Sequence, residues 1–137
     1  MTPARARSSS RSSAAERVNE ALRAVRAYLR AHPEVGGGTR PDGDAIVVGL
    51  AGDPAAHEPA LRALAGDRLR IERVARPVRE LIRLQARLEA ELPAHGIEIR
   101  AMSAAPFEGV VRLEVDAAAR AFVVERYGDA VDVTMSR

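Results

Sequence analysis

An internal echo at a spacing of 62 to 65 residues limits the architecture of this chain more than any other feature. Ala27-Tyr28-Leu29-Arg30-Ala31-His32 returns as Ala90-Glu91-Leu92-Pro93-Ala94-His95, and the apolar run Ile46–Leu50 returns as Val111–Val115. Asp53 with Ala55-Ala56 is matched by Asp116 with Ala118-Ala119, and Gly66-Asp67 by Gly128-Asp129. The alanine matches carry little weight, because 27 of the 137 residues are alanine. The paired leucines, histidines and Gly-Asp steps are not so easily produced by composition. Two copies are fewer than a stacked solenoid requires, so the expectation is an internal duplication folded as two halves, about 14–75 and 77–135, of a single α+β domain at 13–137.

Length and a 47% apolar content are enough for a continuous core in one domain. There is no cysteine, which removes disulfides, thiolate nucleophiles and sulfur-bound zinc from consideration. All 21 basic residues are arginine; without lysine there is no Schiff base, no pyridoxal anchor and no phosphate-loop lysine. Arg5, Arg7 and Arg11 stand in an acid-free start, leaving 18 arginines against 19 acids in the rest. A nucleic-acid-binding body would carry its positive excess on the fold, so contact with nucleic acid is expected only through those three arginines. No apolar run approaches the roughly 18 residues of a membrane span, and the start lacks the apolar core of a secretory signal; the expected location is cytoplasmic, with no membrane partner. The Arg/Ser-rich start would also suit an organellar transit peptide, but residues 1–12 are read as a disordered tail, too polar to repay the entropy of ordering.

Ser13-Ala14-Ala15-Glu16 has the form of a capping box, and Val18, Leu22, Val25 and Leu29 follow as one helical stripe closed by His32-Pro33. Gly36 to Asp44 reads as a flexible loop, Ala45–Leu50 as a strand, and Asp53-Pro54 as the cap and first residue of a short helix that Gly66 ends. Leu69 and Ile71 alternate with charged residues, as a half-buried strand does. Pro77 opens a helix with Leu81, Leu84, Leu88 and Leu92 on one side, terminated by Pro93 and Gly96. Ile97 and Ile99, then Val111, Leu113 and Val115, read as two alternating strands of a hairpin. Asp116 is expected to cap a last helix that stops at Gly128, before the strand of Val131, Val133 and Met135. From Leu69 onward this is the element order of a ferredoxin-like βαββαβ unit, residues 69–135. Alternation in four strands predicts a two-layer sandwich, its sheet mostly antiparallel and its helices on one face.

Chemistry is sparse. His32 and His95 sit at helix ends, where the last carbonyls favour an imidazolium, and capping explains them better than catalysis. His57-Glu58 begins a zinc pattern, but Leu61 stands where the second ligand is needed. Ser103 and Ser136 lie in no nucleophile elbow. Gly36-Gly37-Gly38 follows a helix rather than preceding one, the reverse of a phosphate cradle, and Asp42 and Asp44 read as solvated turn residues. No catalytic, cofactor-binding or metal-binding residue is assigned. The open sheet face is expected to carry Arg70, Glu72, Glu98, Arg100, Arg112, Glu114, Asp132 and Thr134. It has no aromatic residue on which to stack a base, since Phe107 falls in the hairpin loop and Tyr28, Phe122 and Tyr127 fall on helices.

Ala45–Leu50, Asp53-Pro54-Ala55-Ala56, Arg73–Leu81 and Gly109–Val115 together resemble the pro-region modules of actinobacterial serine proteases of the α-lytic and streptogrisin type, over residues 45–135. The resemblance implies a folding assistant or protease inhibitor that binds through its sheet and C-terminal end. Helix, strand, strand, helix, strand in each half is also similar to the element order of lipid-associated BON domains. The leading functional expectation is a non-enzymatic protein-interaction module of unknown partner that accepts a partner strand at an exposed edge, with Arg70, Glu72, Glu98, Arg100, Arg112, Glu114 and Asp132 as its partner surface; a homodimer is compatible with this. The alternatives are a small hydrolase or isomerase using His57 or His95 with a carboxylate, and salt-sensitive nucleic-acid contact through the tail.

Overall fold

The computed structural model describes residues 14–135 in full, and its first helix and last strand are bounded at Pro3 and Ser136. The first helix begins at Pro3, so Ser13 falls inside it rather than capping it, and residues 3–12, expected as a disordered tail, are helical; residues 1, 2 and 137 and the side chains of Arg5, Arg7, Arg11, Ser13 and Ser136 lie outside the described residues. The elements are α1 (Pro3–Ala31), β1 (Gly36–Asp42), β2 (Ala45–Ala51), a 3-10 turn (Pro54–Ala56), α2 (Glu58–Ala65) and β3 (Leu69–Val74), followed by α3 (Val78–Ala94), β4 (Ala101–Ala105), β5 (Val110–Asp116), a 3-10 turn (Ala117–Ala119), α4 (Arg120–Tyr127) and β6 (Val131–Ser136). The order helix, strand, strand, helix, strand thus occurs twice in this α+β fold.

Each unit closes on a sheet of its own, in the orders β1-β2-β3 and β4-β5-β6. This overturns the ferredoxin-like unit expected at 69–135. β3 does not join the later strands; it runs parallel to β2, with Ile46 opposite Leu69 and Ala51 opposite Val74. β6 runs parallel to β5 in the same way, with Val111 opposite Val131. The helix between the two strands supplies the crossover that a parallel pair requires. Nor is the sheet mostly antiparallel, because each of the two has one antiparallel and one parallel pairing.

Helices do cover one face of each sheet. In the first unit Val25 and Leu29 of α1 and Leu61 and Ala65 of α2 pack on Ile46, Val48, Leu50 and Leu69. In the second, Leu81, Leu84, Leu88 and Leu92 of α3 and Val123 and Tyr127 of α4 pack on Val111, Leu113, Val115 and Val131. Alternation holds along β5, where Arg112 is exposed between buried Val111 and Leu113. It fails in β2, which is buried at every position. Val47, on the face away from the helices, lies opposite Arg40 on one side and Arg70 on the other, and arginine stems shield apolar surface while their heads stay in water.

Three local expectations are also corrected. The glycine-rich segment is not a loop but most of β1. A Cβ on Gly37 would lie 2.5 Å from Val74 Cγ2 and 2.9 Å from the Gly49 carbonyl carbon, so glycine here serves close approach of two backbones within a sheet. Residues 97–100 are not a strand; β4 begins at Ala101, and Arg100 makes the one preceding ladder-type bond, N–H to the Glu114 carbonyl at 2.9 Å. Asp116 precedes the last helical segment but makes no side-chain cap, whereas Asp53 does cap, accepting from the Ala55 N–H at 3.0 Å. α3 runs one residue past Pro93 and ends in a Schellman arrangement: Ile97 N–H bonds the Leu92 carbonyl, Gly96 N–H bonds that of Pro93, and Gly96 has φ 75°.

The units meet along a short seam. Arg76, in the connection between β3 and α3, donates to the Gly109 carbonyl at 3.0 Å and pairs with Asp129 at 2.8 Å. Arg40 stacks over the Phe107 ring at 4.5 Å.

Substituting Gly37→Ala is expected to lower stability by about 1–3 kcal/mol, the usual range for overpacking, read as a lower urea midpoint at unchanged slope. Adding Val74→Ala should not restore it, because the Gly49 backbone still stands in the way.

Candidate binding groove

The glycines that let β1 approach β2 also leave its first residues without side chains where α1 ends and α3 begins. An open groove of about 500 Å³ results there. Leu29 and Pro33 from the first unit, Gly36 and Gly38 of β1, and Val78 and Ile82 of α3 give it an apolar floor. Ile82 is 58% exposed, the largest value among the described large apolar side chains that face solvent. It sits on α3 off the stripe of Leu81, Leu84, Leu88 and Leu92 that faces the core, so burial within this chain does not account for it.

Two arginine pairs wall the groove: Arg26 and Arg30 on α1, and Arg79 and Arg83 on α3. In each pair the members are four residues apart and share a helix face, about 6 Å apart along the axis. None of the four enters an ion pair among the described residues. The nearest polar engagement is Arg26 Nε to Thr39 Oγ1 at 3.2 Å. Outside the groove eight of the thirteen other described arginines, Arg40, Arg62, Arg70, Arg76, Arg87, Arg100, Arg112 and Arg126, are paired to an acid, while Arg17, Arg23, Arg68, Arg73 and Arg120 are not.

The seven residues expected to form one partner surface are divided between the two sheets, and most are matched in place. In the first sheet Arg70 pairs with Asp42 at 3.3 Å and Glu72 with Arg40 at 2.8 Å. In the second, Arg100 holds Asp116 at 3.1 Å and Glu98 at 3.7 Å, and Arg112 pairs with Glu108. Glu114 lies opposite Thr134, and Asp132 opposite Arg112. Exposed pairs of this kind contribute about 0–1 kcal/mol each.

The histidines fall in two places. His32 and His57 come together with Tyr28: the Tyr28 hydroxyl and His57 Nδ1 are 2.7 Å apart, the Tyr28 and His32 rings stack at 4.2 Å, and the two imidazoles meet edge-on at 5.2 Å. His32 Nδ1 lies 2.9 Å from the Tyr28 carbonyl, the helix-end contact expected of it. No carboxylate is hydrogen-bonded to this cluster among the described residues. His95 packs on Phe122 at 4.8 Å and lines, with Glu98 and Asp116, a second cavity of about 450 Å³. Of the two acids, Asp116 is held by Arg100 at 3.1 Å. Among the described residues no group of three or more His, Asp or Glu is placed to hold a metal ion, and no helix is long and apolar enough to cross a membrane.

A part-buried tether closes the second unit. The Tyr127 hydroxyl donates to Glu91, which also faces Arg126 at 3.4 Å and Arg87 at 3.6 Å. That hydrogen bond first, and the two guanidiniums next, hold the Glu91 carboxyl below its ordinary range. Burial first, then the bond to Glu91, pushes the Tyr127 phenol up. No protein-family model matches this chain, and no curated protein does.

The groove arginines and Ile82 were not singled out by sequence reasoning. The signal was there in part, since Ile82 breaks the polar face of an otherwise regular amphipathic helix. That α1 and α3 flank the same opening was not written in any local pattern.

A carboxyl whose folded value is depressed stabilises the fold above its unfolded value, about pH 4.3, and loses that contribution as pH falls through the lowered value. Glu91→Gln is therefore expected to flatten the acid limb of the stability profile, and Tyr127→Phe to move the midpoint of acid unfolding upward. Circular dichroism between pH 7 and 2 checks both.

Proposed function

We propose that this chain is a non-enzymatic protein-interaction module that holds its partner in the groove between α1 and α3. One observation carries the reading: four unpaired arginines surround an exposed apolar floor, on a surface whose other described arginines are mostly ion-paired. An apolar patch rimmed by polar groups is the usual mark of an interaction site, and unmatched charge around it supplies selectivity and speed of encounter. The resemblance to protease pro-regions points the same way, because such modules act by binding.

A hydrolase or isomerase would draw on the His95 cavity, where Glu98 and Asp116 share the lining. The geometry favours it less. A general base needs to be oriented by a hydrogen-bonded partner, and His95 is packed on a phenyl ring.

Wild-type chain immobilised on a resin should retain specific proteins from a native extract, and Arg79→Glu/Arg83→Glu should release them. The sheet-face variant Arg100→Glu/Arg112→Glu should retain them. Equal retention by the groove variant and the wild type, or no specific retention at all, refutes the groove as the binding site.

A further inference from the structure

We infer that the occupant of this groove is an acidic amphipathic helix of a partner protein, an inference that rests on the reading of the chain as an interaction module. Its cations are distributed, not gathered at one end. Arg26 and Arg30 run along one wall and Arg79 and Arg83 along the other, with Ile82 and Leu29 among the floor residues. The complement of that pattern is an apolar ridge flanked on both sides by carboxylates.

A helix presents such a ridge when apolar residues recur at i, i+3 or i+4, and i+7 and acids occupy the flanking positions. Each arginine pair spans about 6 Å, little more than one turn of the partner helix, so the guanidiniums flank the middle of its apolar ridge. An added strand fits less well, because strand addition pairs backbone amides and does not call for cations along both walls. A symmetric pairing of two copies through this groove would bring arginines against their own counterparts, which is repulsive. A single anionic headgroup would satisfy one end of the groove and leave the remaining guanidiniums unmatched.

The test uses the full chain and a labelled model peptide of about 15 residues, long enough for partial helicity, with leucines at i, i+3 and i+7 flanked by glutamates. Fluorescence anisotropy should give saturable binding that weakens with added salt. Arg79→Glu/Arg83→Glu, and separately Arg26→Glu, should each weaken it about tenfold or more, and Ile82→Asp should weaken it as well. All these side chains are exposed, and far-ultraviolet circular dichroism verifies that each variant is folded. A scrambled peptide of equal charge that binds as tightly overturns the inference. So does affinity indifferent to the groove variants. Groove-dependent retention on phosphatidylglycerol/phosphatidylcholine vesicles, with the peptide failing to bind, overturns it in favour of a lipid surface. If groove-dependent protein capture persists while the peptide fails, the interaction module stands and the acidic helix falls.

Discussion

The contact between the Gly37 and Gly49 backbones is the constraint on which the first unit and its surface depend. Any side chain at either position would meet the opposing strand or Val74 within about the van der Waals limit. The approach brings β1 against a central strand that is buried along its whole length. The same glycine run leaves the outer end of β1 bare, and that bareness is the floor between α1 and α3. One compositional choice therefore sets both the packing of a sheet and the shape of a groove.

The second unit solves the same packing problem without glycine in its first strand, and differs accordingly. Leu29 and Leu92 are buried at equivalent helix positions, and Gly66 and Gly128 end the second helices with nearly the same backbone, φ 63° with ψ −141° and −143°. At the position of Tyr28 the second unit has Glu91. In one unit the tyrosine reaches His57 beside the second helix; in the other a tyrosine on the second helix, Tyr127, reaches back to Glu91. Both arrangements fasten the end of the long helix to the short one across the core. The first does so with a tyrosine–histidine hydrogen bond among packed rings, the second with a carboxylate held by a phenol and two guanidiniums.

Much of the fold was legible because its local rules are strong. The α3 stripe, the Asp53 cap, the Gly66 and Gly128 stops and the strands from Ala45, Leu69 and Val131 all follow from periodicity and turn chemistry. Strand pairing was not, since alternation records which face of a strand is buried but not which neighbour it meets. The run from Leu69 to Met135 has a ferredoxin-like order whether or not β3 joins the later strands, and only the parallel pairing to β2 decides the matter. The glycine loop was misread for a related reason: Gly37 signals a close approach only once Gly49 is known to lie opposite. The candidate surface shared that weakness. Arg70 and Arg112 carry equal weight in a linear reading, yet both are matched by acids across or near their own strands, while Arg79 and Arg83 look like ordinary solvated helix residues until α1 is placed beside them.

The exclusive use of arginine bears on what the groove can recognise. A guanidinium is planar, offers five donors, and stays protonated at every pH at which the protein is folded. The groove's own charge is therefore fixed, and any pH dependence of binding must come from the occupant. For a carboxylate-bearing helix, affinity would fall only as its acids protonate near pH 4, before the Glu91 tether, whose carboxyl is held lower, loses its charge. Exposed guanidiniums are weakly hydrated compared with ammonium groups, so each can lie against Leu29 or Ile82 with its stem and still present two donors to a carboxylate. In the proposed complex, hydrophobic contact with the floor would set the depth of docking, and the four guanidiniums, each meeting a carboxylate, its register.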